Sequence, residues 1–107
     1  SHGAGLAVIT PAYLEFVARC NPCRVLLWAR NVMQVPSGLA DGIAITEGIK
    51  RLREFYHFMG MPLTLRELGA GDAPLEELAR RAVVKGPLGH YVPLSEQDVL
   101  EVYRMAA

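Results

Sequence analysis

The apolar positions of this chain recur at helical spacing, and strict alternation of apolar and polar residues is almost absent. The clearest stripe has steps of four, three, four and three residues and runs through Ile45, Ile49, Leu52, Tyr56 and Met59, closing at Gly60. Similar stripes predict helices from about Gly5 to Cys20, through Val25 to Met33, through Leu75 to Val83 and through Val99 to Ala106. The pattern therefore predicts an all-α chain of about five helices plus a short helical turn.

Residues that start and stop helices divide these stripes. Pro11 falls inside the first helix, whose first turn is expected to be separate or kinked. Asn21 and Pro22 are expected to restart the chain as N-cap and first helical residue. Two further starts are a short turn over 65–68 capped by Thr64 and a last helix opened by a capping box of Ser95 and Asp98.

Composition and charge narrow the class of protein. The 107 residues fit one domain, and their hydrophobic fraction of 51% is high enough that some apolar surface is expected to face a partner or neighbouring domain. Eleven basic and eleven acidic residues are interspersed, so the chain has no electrostatic footprint for nucleic acid. Its apolar runs are far shorter than the ~20 residues of a membrane span. We expect a cytoplasmic protein with no nucleic-acid or membrane partner.

Cys20 and Cys23 have the spacing of a redox dithiol, and Cys23 is placed near a predicted helix start that would stabilise a thiolate. A redox site of this kind follows a β-strand, which the pattern does not predict here. A structural zinc site needs a second ligand pair, which the sequence lacks. The alternative is a pair of helix-boundary cysteines, one packed and one partly exposed, in a reducing compartment.

His57 and His90 are candidate functional residues, but neither has a metal-ligating or catalytic partner close to it in the sequence. His57 follows Tyr56 on the third long helix and is expected at the surface or at a domain interface. His90 lies in a glycine-rich loop that could bring it close to a ligand, although a solvated loop position is the simpler expectation. The charged residues Glu76, Glu77, Arg80 and Arg81 have the spacing of solvated helical ion pairs.

The start of the chain resembles a known signature. His2-Gly3-Ala4-Gly5-Leu6-Ala7, continuing through Pro11, is similar to the histidine-glycine motif that opens the C-terminal part of iron-containing alcohol dehydrogenases, especially the butanol-dehydrogenase-like branch. The resemblance continues through the Asn21-Pro22 helix start, the Gly60-Met61-Pro62 helix end and the closing helix over 94–103. It spans essentially all 107 residues.

This resemblance implies that residues 1–107 form an incomplete helical C-terminal domain. In the family this domain holds Fe2+, or sometimes Zn2+, through one aspartate and three histidines, and an upstream domain binds NAD(P). By resemblance His2 corresponds to the last of these histidines, while Gly3 and Ala4 keep the wall beside substrate and cofactor small. His57 and His90 do not match the other ligand positions.

The parent enzyme implied by the resemblance interconverts alcohols with aldehydes or ketones. The 107-residue chain alone is expected to be inactive, to hold no cofactor stably and to expose an apolar face where its missing N-terminal domain would dock. Self-association into a homo-oligomer is also expected. Two other interpretations stay open, namely a non-enzymatic helical interaction module and, with less support, a redox protein using Cys20 and Cys23.

Overall fold

The chain folds into helices joined by short turns. The computed structural model describes residues 2–89 and 91–107, with the backbone alone at His2. Its helices are α1 (His2–Cys20), α2 (Cys23–Asn31), α3 (Asp41–Phe58), α4 (Leu65–Leu68), α5 (Leu75–Ala82) and α6 (Glu96–Ala106). No strand occurs in the described ranges, where a single isolated bridge pairs Leu88 with Leu94. The predicted all-α class of five helices plus a short turn is confirmed.

Helix α1 is the central element, and it packs against α2, α3, α4 and α6. It runs antiparallel to α3, because Glu15 near its end pairs with Arg53 while Gly3 at its start lies near Met61, beyond the end of α3. Val17 of α1 shares a buried cluster with Ile49 of α3. The beginning of α1 is therefore held beside the turn that follows α3.

Two further contacts extend the core. On the other side of α1, Val8 and Ala12 pack with Leu65 of α4 and with Val102 and Ala106 of α6. Helix α5 packs along α6 and contributes a fully buried residue, Ala79, to the larger cluster. The resulting slab measures 42 × 31 × 17 Å, which is about two helices thick.

Helix α1 departs from the sequence prediction at its start and at its proline. It begins at His2, three residues before the predicted Gly5, and continues through Pro11 without a break. The first turn is therefore not separate. Pro11 is fully buried. Burial of the ring among neighbouring helices offsets the lost hydrogen bond that its missing N–H would have donated.

The ends of α2 were also predicted imperfectly. Pro22 occupies the N-cap position, so the helix begins at Cys23, and the Asn21 side chain accepts a hydrogen bond from the Cys23 N–H at 3.4 Å. The helix ends at Asn31, and Val32, expected on the apolar stripe, is 65% exposed. The chain leaves the helix there because Gln34 adopts a left-handed backbone with φ of 55°.

The turn after α2 is fixed from α3. Arg51 donates from its guanidinium to the carbonyls of Met33 and Gln34, each at 2.9 Å. Met59 also differs from the prediction, since α3 ends at Phe58 and the Met59 side chain is 59% exposed. Gly60, with φ of 75°, closes the helix as expected. Tertiary contacts from Arg51 thus fix the turn after α2, whereas the end of α3 is set locally by Gly60.

The caps predicted at Thr64 and Ser95 and the ion pairs predicted for Glu77 are confirmed, whereas Glu76 lies 3.6 Å from Arg104 instead. The Thr64 hydroxyl accepts from the Glu67 N–H at 3.1 Å, and Ser95 and Asp98 form a reciprocal capping box. Glu77 pairs with Arg80 at 2.5 Å and with Arg81 at 3.0 Å. None of the described helices is both long and apolar enough to span a membrane.

Candidate functional site

The first turn of α1 carries the residues that the sequence resemblance assigns to chemistry. His2 is the first helical residue, and its side chain lies outside the described part of the structure. Gly3 is exposed and Ala4 is half-buried. A Cβ placed on Gly3 would be 3.7 Å from the Met61 methyl, an ordinary contact, and one placed on Gly5 would meet no described atom within 4 Å. The helix start thus presents small residues next to open space.

The described part of the structure holds no complete donor set for a metal ion. Among the described residues, no three His, Cys, Asp or Glu side chains are placed to hold one ion together. A protein site for iron or zinc normally uses three or four ligands. His2 could contribute one imidazole donor to such a site.

The two cysteines lie at the junction of α1 and α2. Cys20 is the last residue of α1, Cys23 is the first residue of α2, and both are exposed free thiols. The expectation that one of them is packed is wrong, because both residues are exposed. A redox role for the pair stays a prediction.

Tyr91 clamps this junction from far along the chain. Its hydroxyl donates to the Asn21 carbonyl at 2.5 Å and accepts from the Arg24 N–H at 3.1 Å. The Arg24 guanidinium also lies 5.1 Å from the centre of the Tyr91 ring, a cation–π distance. The loop before α6 therefore holds the turn that carries both thiols.

The remaining histidines contribute no metal site in the described structure. His57 is exposed on α3, as expected, and lines a groove described below. His90 lies outside the described residues, so its expected loop position stays a prediction. Neither is brought into a cluster of donors within the described ranges.

A long groove runs between α1 and α3, with a volume of about 1210 Å³. We call this surface the α1–α3 groove; its lining includes Ala18, Arg19, Ile45, Thr46, Lys50 and Phe58. Glu15 and Arg53, joined at 2.6 Å, cross it as an ion pair with each side chain about one-third exposed. Ile45 and Ile49 form its apolar floor, and charged side chains stand along its edges.

Sequence patterns anticipated an exposed apolar face but did not locate it. The composition of α1 does not mark the groove, because Glu15 and Arg19, its two charged side chains other than His2, both line it. The hydrogen bond of Tyr91 to Asn21 could not be predicted from local sequence, because the two residues are 70 positions apart.

Comparison with known proteins assigns the whole chain to one protein family. Residues 1–107 match the model of the iron-containing alcohol dehydrogenase family, C-terminal part. The chain is 32% identical to NADH-dependent butanol dehydrogenase A of Clostridium acetobutylicum, over 97% of this chain and 28% of that protein. It is 30% identical to a probable NADH-dependent butanol dehydrogenase of Bacillus subtilis, over 96% of this chain and 27% of that protein.

The fold agrees with these relatives. The crystal structure of NADH-dependent butanol dehydrogenase A from Thermotoga maritima superposes with a TM-score of 0.85 and 27% identity, covering 100% of this chain and 29% of that one. The chain thus spans little more than a quarter of the length of the relatives it matches. From its sequence and its fold, the chain belongs to the iron-containing alcohol dehydrogenase family and corresponds to the C-terminal domain of its members.

Proposed function

We propose that residues 1–107 are the metal-side C-terminal part of an NAD(P)-dependent, divalent-metal-dependent alcohol dehydrogenase. The observation that supports the proposal is the match of residues 1–107 to the C-terminal part of the family. The histidine-glycine run that begins at His2 forms the start of α1. The related butanol dehydrogenases use NADH according to their names. Short alcohols and their aldehydes are accordingly the proposed substrate class.

In this proposal His2 donates a neutral imidazole nitrogen to Fe2+ or Zn2+. When bound, such an ion supplies a Lewis acid for the oxygen of an alcohol or aldehyde. His2 lies on the first turn of α1, so packing of α1 against α3, α4 and α6 fixes where its backbone stands. The other three ligands of the family site belong to the polypeptide upstream of Ser1.

Gly3 and Ala4 are proposed to leave space beside His2 because their side chains are small or absent. Neither carries a side chain beyond Cβ, so substrate and nicotinamide can approach the His2 end of the helix closely. The hydride chemistry belongs to the cofactor, and these residues shape the space in which it meets the substrate. The 107-residue chain alone should turn over no substrate, because one imidazole does not retain a catalytic ion.

The experiment uses the full-length protein that contains this chain. Purified protein is loaded with Fe2+ or Zn2+ and assayed for butyraldehyde reduction with NADH and with NADPH, and bound metal is measured by mass spectrometry. We expect His2→Ala to lower metal content at least tenfold and to abolish turnover. His57→Gln is the matched control and should keep its metal. Full metal content in His2→Ala would refute the assignment.

A helical interaction module is the second candidate, and the open α1–α3 groove is the observation that favours it. This candidate requires a native protein that starts near Ser1 and has neither metal nor turnover. Intact-mass measurement of the native protein separates the two: a chain several times heavier than 11.7 kDa contradicts the module and agrees with the enzyme.

A further inference from the structure

The turn after α3 places a methionine beside the first turn of α1. Met61 is half-buried, and its methyl carbon lies 3.7 Å from the position that a Cβ on Gly3 would occupy. Outside the neighbouring residues of α1 itself, no other described atom comes within 4 Å of that position. Gly3 directly follows His2, so Met61 is the described side chain that borders this end of the helix from another element.

Met61 differs in its surroundings from the other three methionines. Met33 and Met105 pack against buried clusters, and Met59 is 59% exposed. Met61 belongs to none of the three buried clusters formed by the described residues, although it is half-buried. Its thioether is therefore available to something other than the core.

The backbone on both sides of Met61 is held in place. Gly60 adopts a left-handed backbone with φ of 75°, and the Met61 N–H donates to the Tyr56 carbonyl at 2.9 Å, which closes α3. Two residues further on, the Leu63 N–H donates to the Glu67 carboxylate at 3.0 Å. The turn thus fixes where the Met61 side chain starts, while its unbranched thioether can adjust to the shape of a ligand.

We infer that Met61 is a specificity-determining residue of the alcohol and aldehyde site, where its thioether forms the wall that meets the alkyl chain of the substrate. The inference rests on the proposed function, which assigns His2 to the metal ion. Gly3 leaves the α1 side of this space open, and Met61 bounds it from the turn after α3. An alkyl chain has no polar group to satisfy, so a polarisable apolar side chain is a suitable neighbour.

The first test measures chain-length preference in the full-length protein loaded with Zn2+. Met61→Ala removes the side chain beyond Cβ and makes room for a longer alkyl chain. We expect the ratio of kcat/KM for heptanal to that for butyraldehyde to rise at least about tenfold, because one methylene in an apolar pocket is worth about that much.

Two variants serve as controls. Met61→Leu keeps an apolar side chain of similar volume and should hold the ratio within about threefold of the parent value. Met59→Ala shortens an exposed methionine two residues away and should also leave the ratio within about threefold.

The second test uses the unsubstituted full-length protein and measures contact rather than turnover. Zn2+-loaded protein is titrated with 1-butanol in the presence of NADH, two reduced compounds that do not react with each other. Hydrogen peroxide then transfers one oxygen atom to each accessible thioether, giving the sulfoxide and water, and peptide fragmentation in a mass spectrometer separates Met59 from Met61. We expect 1-butanol to slow oxidation of Met61 at least about threefold and that of Met59 by less than about 1.5-fold.

The outcomes separate this inference from the proposed function. A parent protein that binds no metal and reduces neither aldehyde overturns both. A parent protein that reduces butyraldehyde overturns the inference alone if Met61→Ala leaves the ratio unchanged or Met59→Ala raises it equally. Unchanged oxidation of Met61 at every concentration of 1-butanol also overturns it, even where the substituted proteins fail to fold.

Discussion

A Cβ placed on Gly48 of α3 would lie 2.7 Å from the Cβ of Ala29 on α2. The Ala29 Cα is 3.1 Å away and the Trp28 ring 3.3 Å away, so backbone as well as side chain blocks the position. Helices α2 and α3 therefore touch where neither can carry a larger residue. This close approach sets the position of α3, and with it the α1–α3 groove.

Gly48→Ala should lower the free energy of unfolding by about 1–3 kcal/mol, because overpacking outweighs the ~1 kcal/mol gain in helix propensity. Gly42→Ala is the matched control, since a Cβ there meets nothing within 4 Å. Urea denaturation followed by circular dichroism measures both. An unchanged or higher midpoint for Gly48→Ala would show that α2 and α3 separate at little cost.

Tyr91→Phe should cost about 1–2 kcal/mol of stability, because the Asn21 carbonyl and the Arg24 N–H both lose their hydroxyl partner. Tyr91→Leu also removes the ring beneath the Arg24 guanidinium and should cost more. Thermal unfolding of the two variants gives the order. Equal stability of Tyr91→Phe and the parent protein would mean that water replaces the clamp fully.

Glu77 should titrate below its ordinary pKa of 4.5, because Arg80 and then Arg81 donate hydrogen bonds to its carboxylate. A pKa lowered in the folded state means that the stabilisation is present above the unfolded-state value and is lost as pH falls through the lowered value. Carbon-detected NMR titration measures the midpoint directly. A midpoint at or above 4.5 would contradict the structure.

Glu77→Gln should accordingly lose less stability than the parent protein when the pH falls. The difference in stability between the two proteins should be largest at neutral pH. Glu76→Gln is the control, because Glu76 is exposed and its carboxylate is 3.6 Å from Arg104. Urea midpoints compared at about pH 7 and pH 3 measure the effect. A larger change for Glu76→Gln than for Glu77→Gln would argue against the pairing seen here.

Both thiols should react with Ellman's reagent in the native protein, since Cys20 and Cys23 are exposed. Cys20→Ser and Cys23→Ser should each lose one equivalent. A redox function would in addition require that the two sulfurs form a disulfide reversibly in a glutathione buffer. Thiols that react only after unfolding would contradict the exposure described here.

Much of this fold could be predicted from sequence because its signals are local. The stripe through Ile45 and Ile49 marks α3, and the caps at Thr64 and Ser95 depend on contacts only three residues apart. The end of α2 could not be predicted, since it depends on Arg51 reaching back 17 and 18 residues.

The candidate site was less predictable for a related reason. The proposed role of His2 rests on resemblance alone, and the described residues bring no group of three metal donors together. Spacing alone could not distinguish Cys20 and Cys23 as a redox pair from two exposed helix-end residues. The groove arises from the antiparallel placement of α1 against α3, which no local pattern specifies.

The 19 residues of α1 set the distance between His2 and Cys20. At 1.5 Å per residue, the backbones of His2 and Cys20 stand roughly 27 Å apart along the helix axis. Neither thiol can therefore share a coordination sphere with an ion held at His2, and a probe attached to Cys20 would report on that ion only across the length of the helix. A label on Cys20 would therefore leave the proposed ligand at the other end of the helix undisturbed.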